Sequence, residues 1–320
     1  MPPFGRTGWH AALGEHLKKE QFLIIASYAL VYIVWGSTYF FIRAAVQTIH
    51  PSVVVGVRFI SGAFLLALLA WFRGGLRRVP PIKELLGAAV LGILLLLLGN
   101  GLVTIAEKSI PSWTASLVIA CMPIYVAFFN FMLYRTKVSA IRLLGAFGGI
   151  AGVVLIFAPG NSLDAVFDRY ILVAIAGALF WGLGTSLAKK MTKPQDVLVS
   201  TSIQMLVAGI ASLAIGMASG IKPFSAFSGA STWSIFSLVY LALLGALALV
   251  AYNHLLVHEP SFRVSSYSLV NPLIAVTLGL LTGEKATPLL AVGSPLVLAG
   301  LVFILYGDAI LKAKKKNPQA

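Results

Sequence analysis

Charge is scarce in this chain of 320 residues: 11% are Asp, Glu, Lys or Arg, against roughly 25% in soluble globular domains. A large core cannot absorb that deficit, which excludes a molecule whose outer surface faces mainly water. Cysteine is almost missing, and the lone Cys121 excludes both an intramolecular disulfide and a thiolate metal site. Negative charge is scarcer than positive. The ten carboxylates, Glu107 among them, all lie away from the middle of any predicted span. No carboxylate pair is placed to hold magnesium on a diphosphate, and no nucleophile stands beside a base. The chain is therefore expected not to be an enzyme and to hold no metal or cofactor. Ion coupling commonly uses an intramembrane carboxylate, so the same shortage points to a passive or exchange process.

What the chain has in abundance is apolar length. Hydrophobic residues make up 59% and the mean hydropathy is +0.93. A helix needs about 20 apolar residues to cross about 30 Å of hydrocarbon. Ten windows qualify, roughly 21–42, 51–72, 84–106, 112–134, 139–158, 170–188, 195–218, 233–257, 264–282 and 288–311. The first follows a polar stretch with Lys18 and Lys19 and is long enough to span, so it reads as a signal anchor rather than a cleaved leader. The net charge of +14 is spread in short clusters between the windows, which is topological information and not a nucleic-acid-binding surface. With the amino terminus placed inside, eighteen Lys and Arg fall in cytoplasmic segments and five outside, with Arg58 within a span. Both termini are thus expected in the cytoplasm, the last one carrying a basic tail over 312–320.

The chain also repeats itself. Trp35-Gly36 recurs as Trp181-Gly182 and Arg58-Phe59 aligns with Gln204-Met205, both at an offset of 146. Met122-Pro123 recurs as Asn271-Pro272 at 149, and Gly152-Val153-Val154 as Gly300-Leu301-Val302 at 148. A near-constant offset of half a chain predicts two units, 21–160 and 161–311, behind a tail over 1–20. Five spans per unit is an odd number, so the second unit enters from the opposite side. Such an inverted repeat is the construction of alternating-access carriers, with a site near the bilayer midplane.

The pieces Trp35-Gly36-Ser37-Thr38, Arg58-Phe59, Gly99-Asn100, Pro123, Trp181-Gly182, Asn271-Pro272 and Gly283-Glu284 stand in this order from about residue 25 to 307. In order and spacing the chain resembles the drug/metabolite transporter superfamily, specifically the ten-helix EamA-type permeases. The resemblance implies an all-α membrane protein of two five-helix repeats in a bacterial inner (plasma) membrane. Its central cavity would be lined by helices 1, 3, 4, 6, 8 and 9. It also implies export or exchange of small metabolites, with amphipathic or aromatic amino acids suiting such a lining. A Gly-Glu pair often closes the fourth helix of the family as well as the ninth, but here the fourth ends in Tyr134-Arg135. The expected partners are a small-molecule substrate and the lipid bilayer, with the chain as a monomer or weak homodimer. A membrane scaffold, a scramblase or a complex subunit is the competing reading.

Candidate site residues follow from type and depth. Arg58 lies roughly 11 Å from its span's outer end at 1.5 Å per residue. It reads either as an anchor for a substrate carboxylate or as a snorkelling or carbonyl-capping arginine. Trp35, Trp181, Tyr125, Tyr252 and Tyr267 lie too deep for an interfacial belt, so they face polar partners, a wet cavity or each other. Asn100, Asn253, Asn271 and Gln204 could orient a polar substrate or bond across helices. Ser37 and Thr38 join the cavity set beside Trp35. His254 titrates near neutral pH and, with Glu284, is the candidate for a proton link. Gly145, Gly148, Gly149 and Gly152 form a small-residue stripe for helix packing or a homodimer contact.

Overall fold

Residues 6–75, 78–110, 112–157, 169–281 and 289–316 are described in a computed structural model of the chain, and among them there is no strand. Helix α1 runs over Arg6–Val46, starting well ahead of the apolar window at 21. Next comes α2 (Pro51–Phe72), whose Pro51 stands at the start where a missing N–H costs nothing. Its N-cap is His50, which accepts from the Ser52 amide through Nδ1 at 3.3 Å. Burial and the nearby Lys108 ammonium pull the His50 imidazole below its usual range, keeping that acceptor unprotonated.

The third window is one continuous rod with a change of pitch. It opens as α3 (Ile82–Leu91), widens into a π-helical segment over Gly92–Asn100 and closes as α4 (Gly101–Ala106). Gly99-Asn100-Gly101 stands at the end of the wide turns. The fourth window is broken at Cys121 into α5 (Ser112–Ala120) and α6 (Met122–Tyr134), with Pro123 in the first turn of the new helix. Then follow α7 (Ala140–Phe157), α8 (Arg169–Leu187), α9 (Val197–Ala218) and α10 (Thr232–His258). Asp196 caps α9 by accepting from the amides of Leu198 and Val199, and Ser231 caps α10 by accepting from that of Ser234. At the start of the ninth window a break separates the short α11 (Ser261–Val264), which reaches only the window's first residue, from α12 (Tyr267–Leu281), and α13 (Leu290–Lys316) is the last described element. The interruption falls at Ser265–Ser266, whereas Pro272 sits inside α12 without breaking it.

Among the described residues seven helices are long and apolar enough to cross a bilayer unaided, namely α1, α2, the α3–α4 rod, α8, α9, α10 and α13. The other three windows are filled by α5–α6, α7 and α11–α12. Large apolar side chains such as Phe64, Trp71, Leu144, Leu172 and Phe236 point outward, the inverse of a water-soluble surface and the arrangement lipid requires.

The packing is nearly invariant when the two halves are exchanged on the sequence offset. Helices α2 and α9 meet each other, as do α7 and α13. Helix α1 packs on α10 and α12, and its counterpart α8 packs on the π segment, α4, α5 and α6. Glycine makes both self-paired contacts close. A Cβ on Gly300 would lie 2.5 Å from the Gly145 carbonyl oxygen and 2.7 Å from the Gly149 Cα, and one on Gly209 2.9 Å from the Gly56 carbonyl oxygen. The stripe on α7 is thus covered by α13 at Gly145 and Gly152 and by Leu269 of α12 at Gly149, with Gly148 facing open space. At one end of this pair Arg142 Nη2 meets Asp308 Oδ2 at 2.8 Å, and Ser139 Oγ donates to Asp308 Oδ1 at 2.5 Å.

Replacing Gly300 by Leu should cost about 1–3 kcal/mol through forced separation of two backbones. Thermal unfolding of the purified protein should show a lower Tm for Gly300→Leu and an unchanged one for Gly148→Leu. Equal losses in both would mean that α13 does not occupy this face of α7.

Candidate functional site

A central cavity of about 590 Å³ of empty space, counting the part open to solvent, lies between the two halves. Helix α1 presents Trp35, Thr38, Tyr39 and Ile42 to it, a spacing of three and four that keeps all four on one helical face. Arg58 and Phe59 enter from α2, and Leu96, Gly99 and Asn100 from the π segment. Val103, Ile119, Trp181, Leu249 and Tyr267 complete the wall from α4, α5, α8, α10 and α12. Both halves therefore contribute.

Aromatic rings dominate one side. Trp35 stands edge-on to Trp181, with centroids 5.3 Å apart at 83°, and edge-on to Tyr267 at 4.9 Å and 80°. Tyr252, with 0% exposure, lies 4.8 Å from Trp35 and behind the cluster. Such T-shaped pairs set ring edges against ring faces and contribute about 0.5–1.5 kcal/mol each beyond area burial. A closed hydrogen-bond circuit holds the cluster. Trp181 Nε1 donates to the Tyr252 hydroxyl at 3.2 Å, Tyr252 bonds Thr185, and the Thr185 hydroxyl donates to the Trp181 carbonyl at 2.8 Å.

Five of the other expected residues stand away from this wall. The Ser37 hydroxyl donates to the Val34 carbonyl at 2.8 Å and bonds Tyr240 at 2.7 Å. Gln204 and Asn253 bind each other across α9 and α10, Asn253 Nδ2 donating to Gln204 Oε1 at 3.2 Å and to Thr201 Oγ1 at 3.1 Å. Tyr125 packs against Gly182 at the α6–α8 contact. Asn271 is buried beside Tyr39. By contrast, Trp35, Thr38, Arg58, Asn100, Trp181 and Tyr267 are brought together in the cavity, with Tyr252 supporting them. His254 lies elsewhere, its ring 4.2 Å from that of His258, which in turn stands 3.8 Å from Glu20. Glu284 lies outside the described residues.

Arg58 is 5% exposed, its guanidinium 4.5 Å from the Phe59 ring centroid. Its Nε and Nη1 have no hydrogen-bond partner. The side chain therefore neither snorkels to an interface nor caps a carbonyl. Arg43 donates through Nη1 to the carbonyls of Ile110 at 2.7 Å and Glu107 at 3.2 Å. Glu107 itself is 0% exposed, and neither carboxyl oxygen has a partner.

Sequence reasoning passed over Glu107 because it follows the third apolar window. The signal was present all the same. Residue 107 is four on from Val103 and seven on from Asn100, the interval that keeps a residue on the same face of a helix. Tyr39 and Phe59 were missed for a plainer reason, as apolar or aromatic residues do not stand out in a chain composed of them.

The family model described as "EamA-like transporter family" matches residues 21–158 and 168–306. The chain is 32% identical over 287 residues to the "Uncharacterized inner membrane transporter YedA" of Escherichia coli (strain K12), covering 89% of this chain and 91% of the relative. It is 25% identical over 294 residues to the "Uncharacterized transporter YvbV" of Bacillus subtilis (strain 168), covering 91% and 92%. One solved crystal structure overlays with a TM-score of 0.69 at 17% identity, over 90% of this chain and 97% of the other, a likeness of fold alone.

Removing the Tyr252 hydroxyl leaves the Trp181 N–H buried and unpaired, a loss of about 1–3 kcal/mol. Tyr252→Phe should lower Tm and alter intrinsic tryptophan fluorescence, while Tyr134→Phe, outside the circuit, should do neither. A Tyr252→Phe protein as stable as the parent would show that the circuit does not hold the aromatic wall.

Proposed function

Because the chain belongs to the EamA-like transporter family, a family of membrane transporters, we propose that it carries amphipathic carboxylates, amino acids foremost, by alternating access through the central cavity. The observation that carries this reading is Arg58: a buried guanidinium with two unpaired nitrogens on the wall of a cavity otherwise lined by rings and aliphatic groups. An arginine at a helix centre costs about 2.5–3.5 kcal/mol on insertion scales, and leaving its donors unpaired adds to that cost. A carboxylate offers guanidinium a bidentate, charge-assisted partner. The facing rings of Trp35, Trp181 and Tyr267 offer an apolar or aromatic side chain its surface. Thr38 and Asn100 supply neutral donors and acceptors beside them.

Alternating access draws support from the near-invariance of packing on exchange of the halves. With five spans in each of the units 21–160 and 161–311, ten in all, that exchange becomes an inverted repeat, and one cavity serves two equivalent gates. The excess of Lys and Arg in alternate connections supports cytoplasmic termini. Export or exchange across the inner membrane is the direction proposed.

Counterflow of radiolabelled amino acids into proteoliposomes holding the purified chain tests the reading. Saturable, trans-stimulated uptake of one or more is expected. Arg58→Gln should weaken apparent affinity about 30-fold or more, equivalent to about 2 kcal/mol. Lack of flux for every amino acid would favour a scaffold, and unsaturable flux a channel.

A further inference from the structure

A second cavity, of about 590 Å³ of empty space counting the part open to solvent, lies where the connection between α8 and α9 meets the start of α9 and the end of α10. Among the described residues lining it, Lys193 alone is ionisable. Its Nζ donates to the Ala188 carbonyl. An ammonium has three donors, so two are left to turn elsewhere. Asn253 lines the same cavity at 2% exposure, and its Oδ1 has no hydrogen-bond partner. An enclosed acceptor left so is costly. The amides of Leu198 and Val199 at the start of α9 are taken by Asp196, so side chains carry this site. Val197 and Val257 give it an apolar wall.

Exchange of the halves relates this cavity to the central one. The offset of 146 carries Arg58, on the wall of the central cavity, onto Gln204. Both ends of the Gln204 amide are held by side chains that line the second cavity. Its Oε1 accepts from Asn253 at 3.2 Å, and its Nε2 donates to Ser200 Oγ at 3.3 Å. On α10, Leu249 faces the central cavity and Asn253, about one turn on, faces the second. The two lie towards opposite ends of α1. The central cavity reaches Ile42. Beside the second, His258 stands 3.8 Å from Glu20, which precedes Ile42 by roughly 33 Å along the helix at 1.5 Å per residue. That end carries Lys189, Lys190 and Lys193, the cluster read from the sequence as cytoplasmic.

We propose that the second cavity is a docking site for a free amino acid at the cytoplasmic mouth of the carrier. The ligand carboxylate meets the Lys193 ammonium, the ligand ammonium donates to Asn253 Oδ1, and the side chain lies against Val197 and Val257. A simple carboxylate would leave the Asn253 acceptor idle, and a simple amine would leave Lys193 without an anion. A zwitterion satisfies both. The headgroup of phosphatidylethanolamine joins an anion to an ammonium in the same way. The free amino acid is the occupant chosen because Ser200 and Asn253 also hold Gln204, the counterpart of Arg58. For an exporter this is the loading side. That choice of ligand rests on the proposed function; the match of Lys193 and Asn253 to a zwitterion does not.

Labelling of Val257→Cys by a sulfonated maleimide tests this, with the full chain in phosphatidylcholine nanodiscs and the parent, which has Cys121 alone, as the blank. Val257 is 46% exposed and lines the cavity. L-Phenylalanine should slow the labelling saturably. Lys193→Gln keeps a donor for the Ala188 carbonyl but no charge, and should raise the half-protecting concentration about tenfold or more. Lys193→Arg should return it towards the parent value, separating loss of charge from loss of fold. 3-Phenylpropionate and phenethylamine, each lacking one charge, should protect at least about tenfold less well. Arg58→Gln, which disables the central cavity, should leave the protection unchanged. Lack of protection, protection indifferent to Lys193→Gln or to the missing charge, or protection lost in Arg58→Gln overturns the proposal. Labelling slowed by phosphatidylethanolamine in the nanodisc, without amino acid, makes a lipid headgroup the occupant and overturns it too. Amino-acid counterflow without protection at Val257→Cys sinks the second site and spares the carrier reading. Protection as stated, with no counterflow, supports the site and sinks transport of amino acids.

Discussion

Hydrocarbon gives helices no reason to associate, since lipid tails are as apolar as leucine. Cohesion within the bilayer must come from close backbone approach and from polar groups that find one another. Two self-paired contacts of this protein obey that constraint through glycine: Gly145 and Gly149 against Gly300 on α7 and α13, and Gly56 against Gly209 on α2 and α9. These pairs join the first half of the chain to the second. The halves are held at those flanks, and the central cavity lies between them, where Trp35 of α1 meets Trp181 of α8 and Tyr267 of α12.

The polar groups inside divide into two kinds. Gln204 with Asn253, Ser37 with Tyr240, and Tyr252 with Thr185 and Trp181 tie helices together, although Asn253 Oδ1 and both amide atoms of Asn271 are left unpaired. Arg58 and Glu107 keep unpaired atoms in a place where every such atom is costly. In a membrane protein an enclosed charge with idle donors has a use, because selection against it is otherwise steep.

Much of this was legible in the residue string. Apolar windows, the offset of Trp35-Gly36 from Trp181-Gly182, and the depth of Arg58 come from local composition and period, which sequence records directly. The cavity set was half legible for the same reason: Trp35, Thr38, Arg58, Asn100, Trp181 and Tyr267 line it, whereas Gln204 and Asn253 turn to one another. Which of two faces an intramembrane amide takes depends on the neighbouring helix, and no single-helix pattern encodes that. The π segment was illegible as well, because five consecutive leucines fit any helical pitch, and its close neighbours, the α9 backbone at Gln204 against Gly92 and the Trp181 side chain against Gly99, come from elsewhere in the chain. Burial of Glu107 escaped because a hydropathy window ends where the charge begins, while the enclosing walls come from α1 and α2.

The widened segment Gly92–Asn100 has no equal in the other half, where the corresponding α10 is a regular α-helix over Thr232–His258. Partners that should trade places during a transport cycle are thus built to different pitch. A carrier of two identical halves would rest with indifference toward either side of the membrane. Under the proposed alternating access, a rod that differs in pitch from its counterpart removes that degeneracy, and the two end states differ in energy.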